Sequence, residues 1–257
     1  MQPRFIRDRF IAHGYRVARI VLALLLTLPA ATVFASAPHL GLQTSSEAER
    51  DARRDAWRAD WREVCVVPGE EPGEWRSDLG SEGTCALERI LGLVRRERTI
   101  GLPLLSQAHA QGVAICRVDC KVEGARGLYD VGMRLILLDS KLNALDAAII
   151  LAHELRHADV IGRGVAPSPD LSLMAAIRLH LAMEADAHMV GTLFAWEAAQ
   201  AGKPHLWDSA IHLTQHDDVA RVLGSGAACV EPLPCVAREA FLAWFEDEDR
   251  VAAYRLY

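Results

Sequence analysis

The five residues His153-Glu154-Leu155-Arg156-His157 sit inside an apolar run from Asp146 to Val160 whose composition favours a helix. No other part of the chain constrains it as much. On a helix, residues four apart share a face, with Cβ atoms roughly 5–6 Å apart. Two imidazoles so placed can each give a nitrogen to one Zn²⁺ at about 2.0–2.1 Å. Glu154, beside the first imidazole, can then reach a metal-bound water and take its proton. A spacing of three or five would splay the rings apart. Asn143, with Asp146 three residues on, supplies a capping-box variant at the helix start, and Gly162 and Gly164 mark its end. The bland alternative is two histidines and a glutamate on an amphipathic helix, satisfied by solvent.

A catalytic zinc site takes three protein ligands and keeps a position for water, and two His with one Glu is a known set. Glu184, in Met183-Glu184-Ala185-Asp186-Ala187, supplies a carboxylate from a second helical stretch expected from about Pro169 to Gln200. His180 and His188 flank it at minus four and plus four and compete as third ligand. For both, packing against the motif helix is the simpler expectation. Asp186 points to a different part of the helix surface and is a candidate to orient a ligand histidine from the outer shell.

HExxH followed by Glu184-Ala185-Asp186 resembles the gluzincin pattern of metallopeptidases similar to the CAAX prenyl proteases. A closer resemblance is to a bacterial metallopeptidase-like domain of unknown function that carries HELRH followed by EADA. The likeness includes Gly112-Val-Ala-Ile115, Gly127-Leu-Tyr129-Asp130 and Leu135-Ile-Leu-Leu-Asp139, and spans roughly residues 100–200. It implies an α+β, predominantly helical, zincin-like metallopeptidase fold with a small sheet before the motif helix. It also implies His153, His157 and Glu184 as zinc ligands and Glu154 as general base. The row of membrane helices of the prenyl-protease group has no counterpart here, so that group's membrane-embedded mechanism does not carry over.

The first 35 residues read as an export signal. Arg4, Arg7, Arg9, Arg16 and Arg19 form a basic start, and an apolar core follows from Ile20. Val33-Phe34-Ala35 fits the small-residue cleavage rule, with Ala35-Ser36-Ala37 as second choice. The alternative is an uncleaved anchor, since the apolar stretch from Val17 to Ala37 approaches a bilayer-spanning length. Export makes the expected location periplasmic or secreted. Residues 36–257 are expected to form a single zincin-like catalytic domain, its core at about 100–200 with helical extensions at both ends. All six cysteines (Cys65, Cys85, Cys116, Cys120, Cys229 and Cys235) follow the signal, which favours disulfides. Proximity in the chain suggests the pairs Cys65–Cys85, Cys116–Cys120 and Cys229–Cys235. Removing residues 1–35 takes away five arginines and one aspartate, so 23 basic and 33 acidic side chains remain, a net charge of −10. That balance does not invite nucleic acid. The expected partner is a peptide or protein substrate, with no membrane contact of the mature form unless the signal stays as an anchor.

Between these landmarks, helices dominate. A charged stretch from Ser46 to Arg62 carries Trp57 and Trp61 as a docking stripe. A Gly- and Pro-rich loop covers 67–83, with helices expected at about 85–98 and from Pro103 to Gly112. Val113–Val118 and Met133–Leu138 are the two convincing strands, and the second reads either as an edge strand that pairs with an extended peptide or as an ordinary core strand. Helices near Trp207–Leu223 and Val236–Arg250 close the chain. Tyr129, His205, His212, His216 and Arg178 are candidates to stabilise an oxyanion, with no spacing signal to choose among them. The function expected is an exported zinc-dependent metallopeptidase. The alternative is a secreted zincin-fold protein that binds zinc or a partner without turnover.

Overall fold

The structure, a computed structural model, describes residues 46, 48–49, 52, 64–77, 84–118, 126–225 and 232–254. The expected export signal, Trp57 and Trp61, Cys120 and Cys229 lie outside the described residues. Within them the protein is α+β and mainly helical, with one small mixed sheet. The chain runs β1 (Val64–Pro68), β2 (Trp75–Ser77), α1 (Thr84–Arg96), α2 (Gly101–Ala110), β3 (Ala114–Val118), β4 (Gly127–Asp130) and β5 (Leu135–Asp139). Then come α3 (Ala144–Gly162), α4 (Leu173–Gln200), α5 (His205–Ala210), α6 (Asp217–Ser225), α7 (Pro232–Ala243), a 3-10 turn (Trp244–Glu246) and α8 (Glu248–Tyr254). Every strand of the sheet precedes α3, the helix that carries the HExxH motif.

The sheet order is β2-β1-β3-β5-β4, with β3 and β5 parallel and the other neighbours antiparallel. Successive side chains of a strand point to opposite faces. Val66, Ile115, Ile136 and Leu138 therefore enter the main core under the helices. Cys65, Ala114, Cys116, Val118 and Leu135 build a smaller apolar cluster on the other face. Cys65 and Cys116 are directly opposite in the β1–β3 register and form a disulfide. This corrects the pairing expected from chain proximity: Cys65 bonds neither Cys85, which is a free and exposed thiol, nor does Cys116 bond Cys120. Neighbours in a sheet, not in the chain, decide the bond.

Helix α3 is the centre of the molecule. It is buried continuously from Ala147 to Leu155, as an all-round apolar helix must be, and packs against α1, α2, α4, α5, β4 and β5. Asn143 caps it, its side chain accepting from the N–H groups of Leu145 and Asp146 while its amide donates to Asp146 at 2.8 Å. Gly164, at φ +84, ends it. Ser172 caps α4, which is buried along most of its length from Leu181 to Ala198. Gly191 lets α4 lie close on α3, since a Cβ there would stand 3.1 Å from the Ile149 carbonyl oxygen.

Other expectations change in detail. The stretch read as a Gly- and Pro-rich loop holds the end of β1 and all of β2, and β4 is a further strand that its short mixed sequence conceals. β5 is flanked on both sides, by β3 and β4, so the edge-strand reading of Met133–Leu138 is wrong; β4 is the outermost strand on that side among the described residues. The helix expected at Trp207–Leu223 is broken into α5 and α6 by a turn in which Gln215 takes φ 77. The closing helix divides at Asp247, whose backbone is extended. No helix of the described residues is long and apolar enough to cross a membrane.

Candidate metal centre

Three side chains meet where α3 faces α4. His153 Nε2 and His157 Nε2 are 3.0 Å apart. The Glu184 carboxylate spans them, with Oε1 at 3.4 Å from His157 Nε2 and Oε2 at 3.6 Å from His153 Nε2. Donors held about 2.0–2.1 Å from a tetrahedral ion lie about 3.3–3.4 Å from one another, and the three separations bracket that value. Two neutral imidazoles and one carboxylate are also the donor types zinc prefers. The residues present thus fit a zinc ion. The carboxylate of Glu154 is close to both imidazoles as well, and it lies against β4, where it receives the Tyr129 backbone N–H. Each Glu184 oxygen, by contrast, faces one Nε2.

These groups also act on one another. Burial works to raise the Glu184 pKa, but His153 and His157 outweigh it and keep the carboxyl far below the usual carboxylate range. Burial likewise opposes a charge on His157, yet the Glu184 carboxylate more than offsets it and the net shift is upward. Glu154 is 6% exposed, and burial raises its pKa. Gly127, the first residue of β4, is what admits it: a Cβ there would stand 2.6 Å from Glu154 Oε1 and 2.5 Å from Ile150 Cγ2.

The other candidates fall elsewhere. His180 is turned from the site, its ring 6.2 Å from Tyr254. His188 packs its ring perpendicular to His153 at 4.4 Å and uses Nδ1 on the Glu184 carbonyl oxygen, so it lies behind the three converging donors. Asp186 takes Arg156, with Nε to Oδ2 at 2.5 Å. Arg156 also reaches Asp159 at 2.7 Å, and Arg163 reaches the other Asp159 oxygen at 2.8 Å. Charged residues on a helix face are routinely solvated, yet Asp159 is 1% exposed. The overlooked signal is a pair of opposite charges three apart in a helix otherwise too apolar to have a wet face. Of the oxyanion candidates, His205, His212 and Arg178 are exposed, His216 is buried beside His188, and Tyr129 contributes its backbone N–H.

No curated protein and no solved structure matches the chain. A family model does, over residues 62–257, which takes in the sheet, both site helices and the C-terminal helices. The chain therefore belongs to the family described as "Putative metallopeptidase family (DUF6782)".

Proposed function

We propose that this protein is an exported zinc-dependent metallopeptidase of the gluzincin type, with a zincin-like fold, that hydrolyses peptide bonds with Glu154 as general base. The observation that carries the reading is the convergence of His153, His157 and Glu184 at metal-ligand spacing, with a buried carboxylate, Glu154, beside them. These three side chains would hold the ion. When bound, zinc supplies Lewis-acid chemistry, polarising the scissile carbonyl and lowering the pKa of water toward about 7. Glu154 then takes a proton from the attacking water at its carboxylate and returns it to the departing amine. Its buried setting suits that work: a carboxylate whose pKa burial raises binds a proton more firmly than a solvated one. The Tyr129 N–H and the bare Gly127 backbone fix where that carboxylate sits. β4, outermost among the described strands and next to Glu154, offers backbone along which an extended peptide can lie. Export to the periplasm or medium is supported by the basic and apolar N-terminal segment and agrees with the Cys65–Cys116 bond.

The test is a pair of variants. Glu154→Gln keeps zinc and loses hydrolysis of a peptide library by about 10²–10⁴-fold. His157→Ala loses both zinc and hydrolysis. Cleavage by Glu154→Gln at the wild-type rate refutes the base assignment. Full zinc loading with no chelator-sensitive cleavage of any peptide points instead to a zinc-binding protein without turnover.

A further inference from the structure

Behind the proposed zinc ligands, His153 belongs to a second group of donors whose other two members, His188 and His216, the peptidase reading does not use. His153, His188 and His216 each offer one ring nitrogen, and these three atoms lie within 4.8 Å of one another. The residues are 6%, 2% and 1% exposed. His188–His216 ring centroids are 4.8 Å apart and His153–His188 centroids 4.4 Å. His216 Cε1 and His153 Cβ both approach the Gly191 position, at 3.2 and 3.5 Å from a Cβ built there, so the rings gather where α4 lacks a side chain.

Half of the ring nitrogens are spoken for. His188 Nδ1 pairs with the Glu184 carbonyl oxygen and His216 Nδ1 with Thr192 Oγ1, each at 3.0 Å. His153 Nδ1 and His216 Nε2 are buried with no hydrogen-bond partner among the described residues. An orphaned buried polar atom is costly, so two in one cluster call for an occupant. The donor set, imidazoles alone, suits zinc, copper or nickel and not calcium or magnesium.

We propose that His153, His188 and His216 form a second transition-metal position, adjoining the first through His153. Its donors would be the two unpartnered nitrogens, His153 Nδ1 and His216 Nε2, and His188 Nε2, the ring nitrogen opposite the one held by the Glu184 carbonyl. With both positions filled, His153 bridges them, Nε2 to one ion and Nδ1 to the other, and releases its ring proton to solvent. The position does not require peptidase activity, and it shares only His153 with the first.

The experiment is equilibrium dialysis of the folded protein against Zn²⁺, followed by metal analysis per chain. Wild type holds about two equivalents. His216→Asn keeps an amide atom for Thr192 but deletes Nε2, and drops to one. His157→Ala also drops to one, by emptying the other position. One equivalent in the wild type, unchanged in His216→Asn and lost in His157→Ala, overturns this proposal and leaves the peptidase reading standing. One equivalent lost in His216→Asn but kept in His157→Ala does the reverse. No bound zinc overturns both. Should His216→Asn fail to fold, wild-type stoichiometry decides together with His188→Ala: two equivalents falling to one support the position, and a single equivalent that His188→Ala leaves in place refutes it.

Discussion

Gly127→Ala isolates the placement of Glu154 from every other property of the site. The new Cβ would stand 2.6 Å from Glu154 Oε1, 3.0 Å from its Cγ and 2.5 Å from Ile150 Cγ2, whereas ordinary contact begins at 3.4 Å. The carboxylate must give by about 0.8 Å, and Ile150, on the same helix, by about 0.9 Å. Neither can withdraw easily, because α3 is enclosed on all sides. A misplacement of about 1 Å at a reacting group can cost about 10²-fold in rate, and overpacking costs about 1–3 kcal/mol in stability. None of the three atoms nearest to it belongs to His153, His157 or Glu184. Gly127→Ala is therefore expected to bind zinc as the wild type does and to lose kcat/KM by about 10²-fold on a peptide reporter. The double variant with Glu154→Gln should be no slower than Glu154→Gln alone, since the displaced group is already disabled. Wild-type kcat/KM in folded, zinc-loaded Gly127→Ala would refute the reasoning, because it would mean that the position of Glu154 does not matter to the reaction.

Four further outcomes follow from the same structure. In metal-free protein, burial raises Glu154 above its unfolded pKa, so ionising it costs the folded chain stability as pH climbs through the raised value. Glu154→Gln should then melt level with wild type below about pH 4 and above it at about pH 7; equal midpoints at both would contradict the burial cost. Arg156→Ala takes the guanidinium from Asp186, leaves Asp159 with Arg163 alone and is expected to lower unfolding free energy by about 3–5 kcal/mol in urea titration. Reducing the Cys65–Cys116 bond opens a loop with a sequence separation of 51, worth about 4 kcal/mol by chain entropy, read as a shift in urea midpoint with and without reductant. Gly92→Ala, inside α1 with nothing within 4 Å of the added Cβ, should stabilise by about 0.5–1 kcal/mol and leave hydrolysis unchanged.

Helical periodicity made the main frame legible. Both site helices, the strands β3 and β5, and the Asn143 cap all follow from local signals, because apolar runs and caps act over a few residues. β1, β2 and β4 do not, since each is only three to five residues long, β1 ends at Pro68 and β4 starts at Gly127; only pairing with neighbouring strands makes them strands. The disulfide was misread for the same reason, as Cys65 and Cys116 are joined by sheet register across a long separation. Within the site, His153 and His157 were fixed by their spacing, while the choice among His180, Glu184 and His188 was not. Those three lie along one helix face, and which of them meets α3 depends on how far α4 slides along its neighbour.

Arg156 sets that slide. Its guanidinium binds Asp186 on α4 and Asp159 on its own helix, two residues away from the pair that brings Glu184 to His157. Residues two apart on a helix point about 200° apart. A rotation of α4 that kept one contact would break the other, so the two contacts together admit one orientation. The clamp needs no ion, since its charges compensate each other. The helices are thus docked before any metal arrives, and His157→Ala should empty the zinc position while leaving a folded, cooperatively melting protein. If His157→Ala instead unfolds as Arg156→Ala does, the ligands and not the clamp hold α3 to α4.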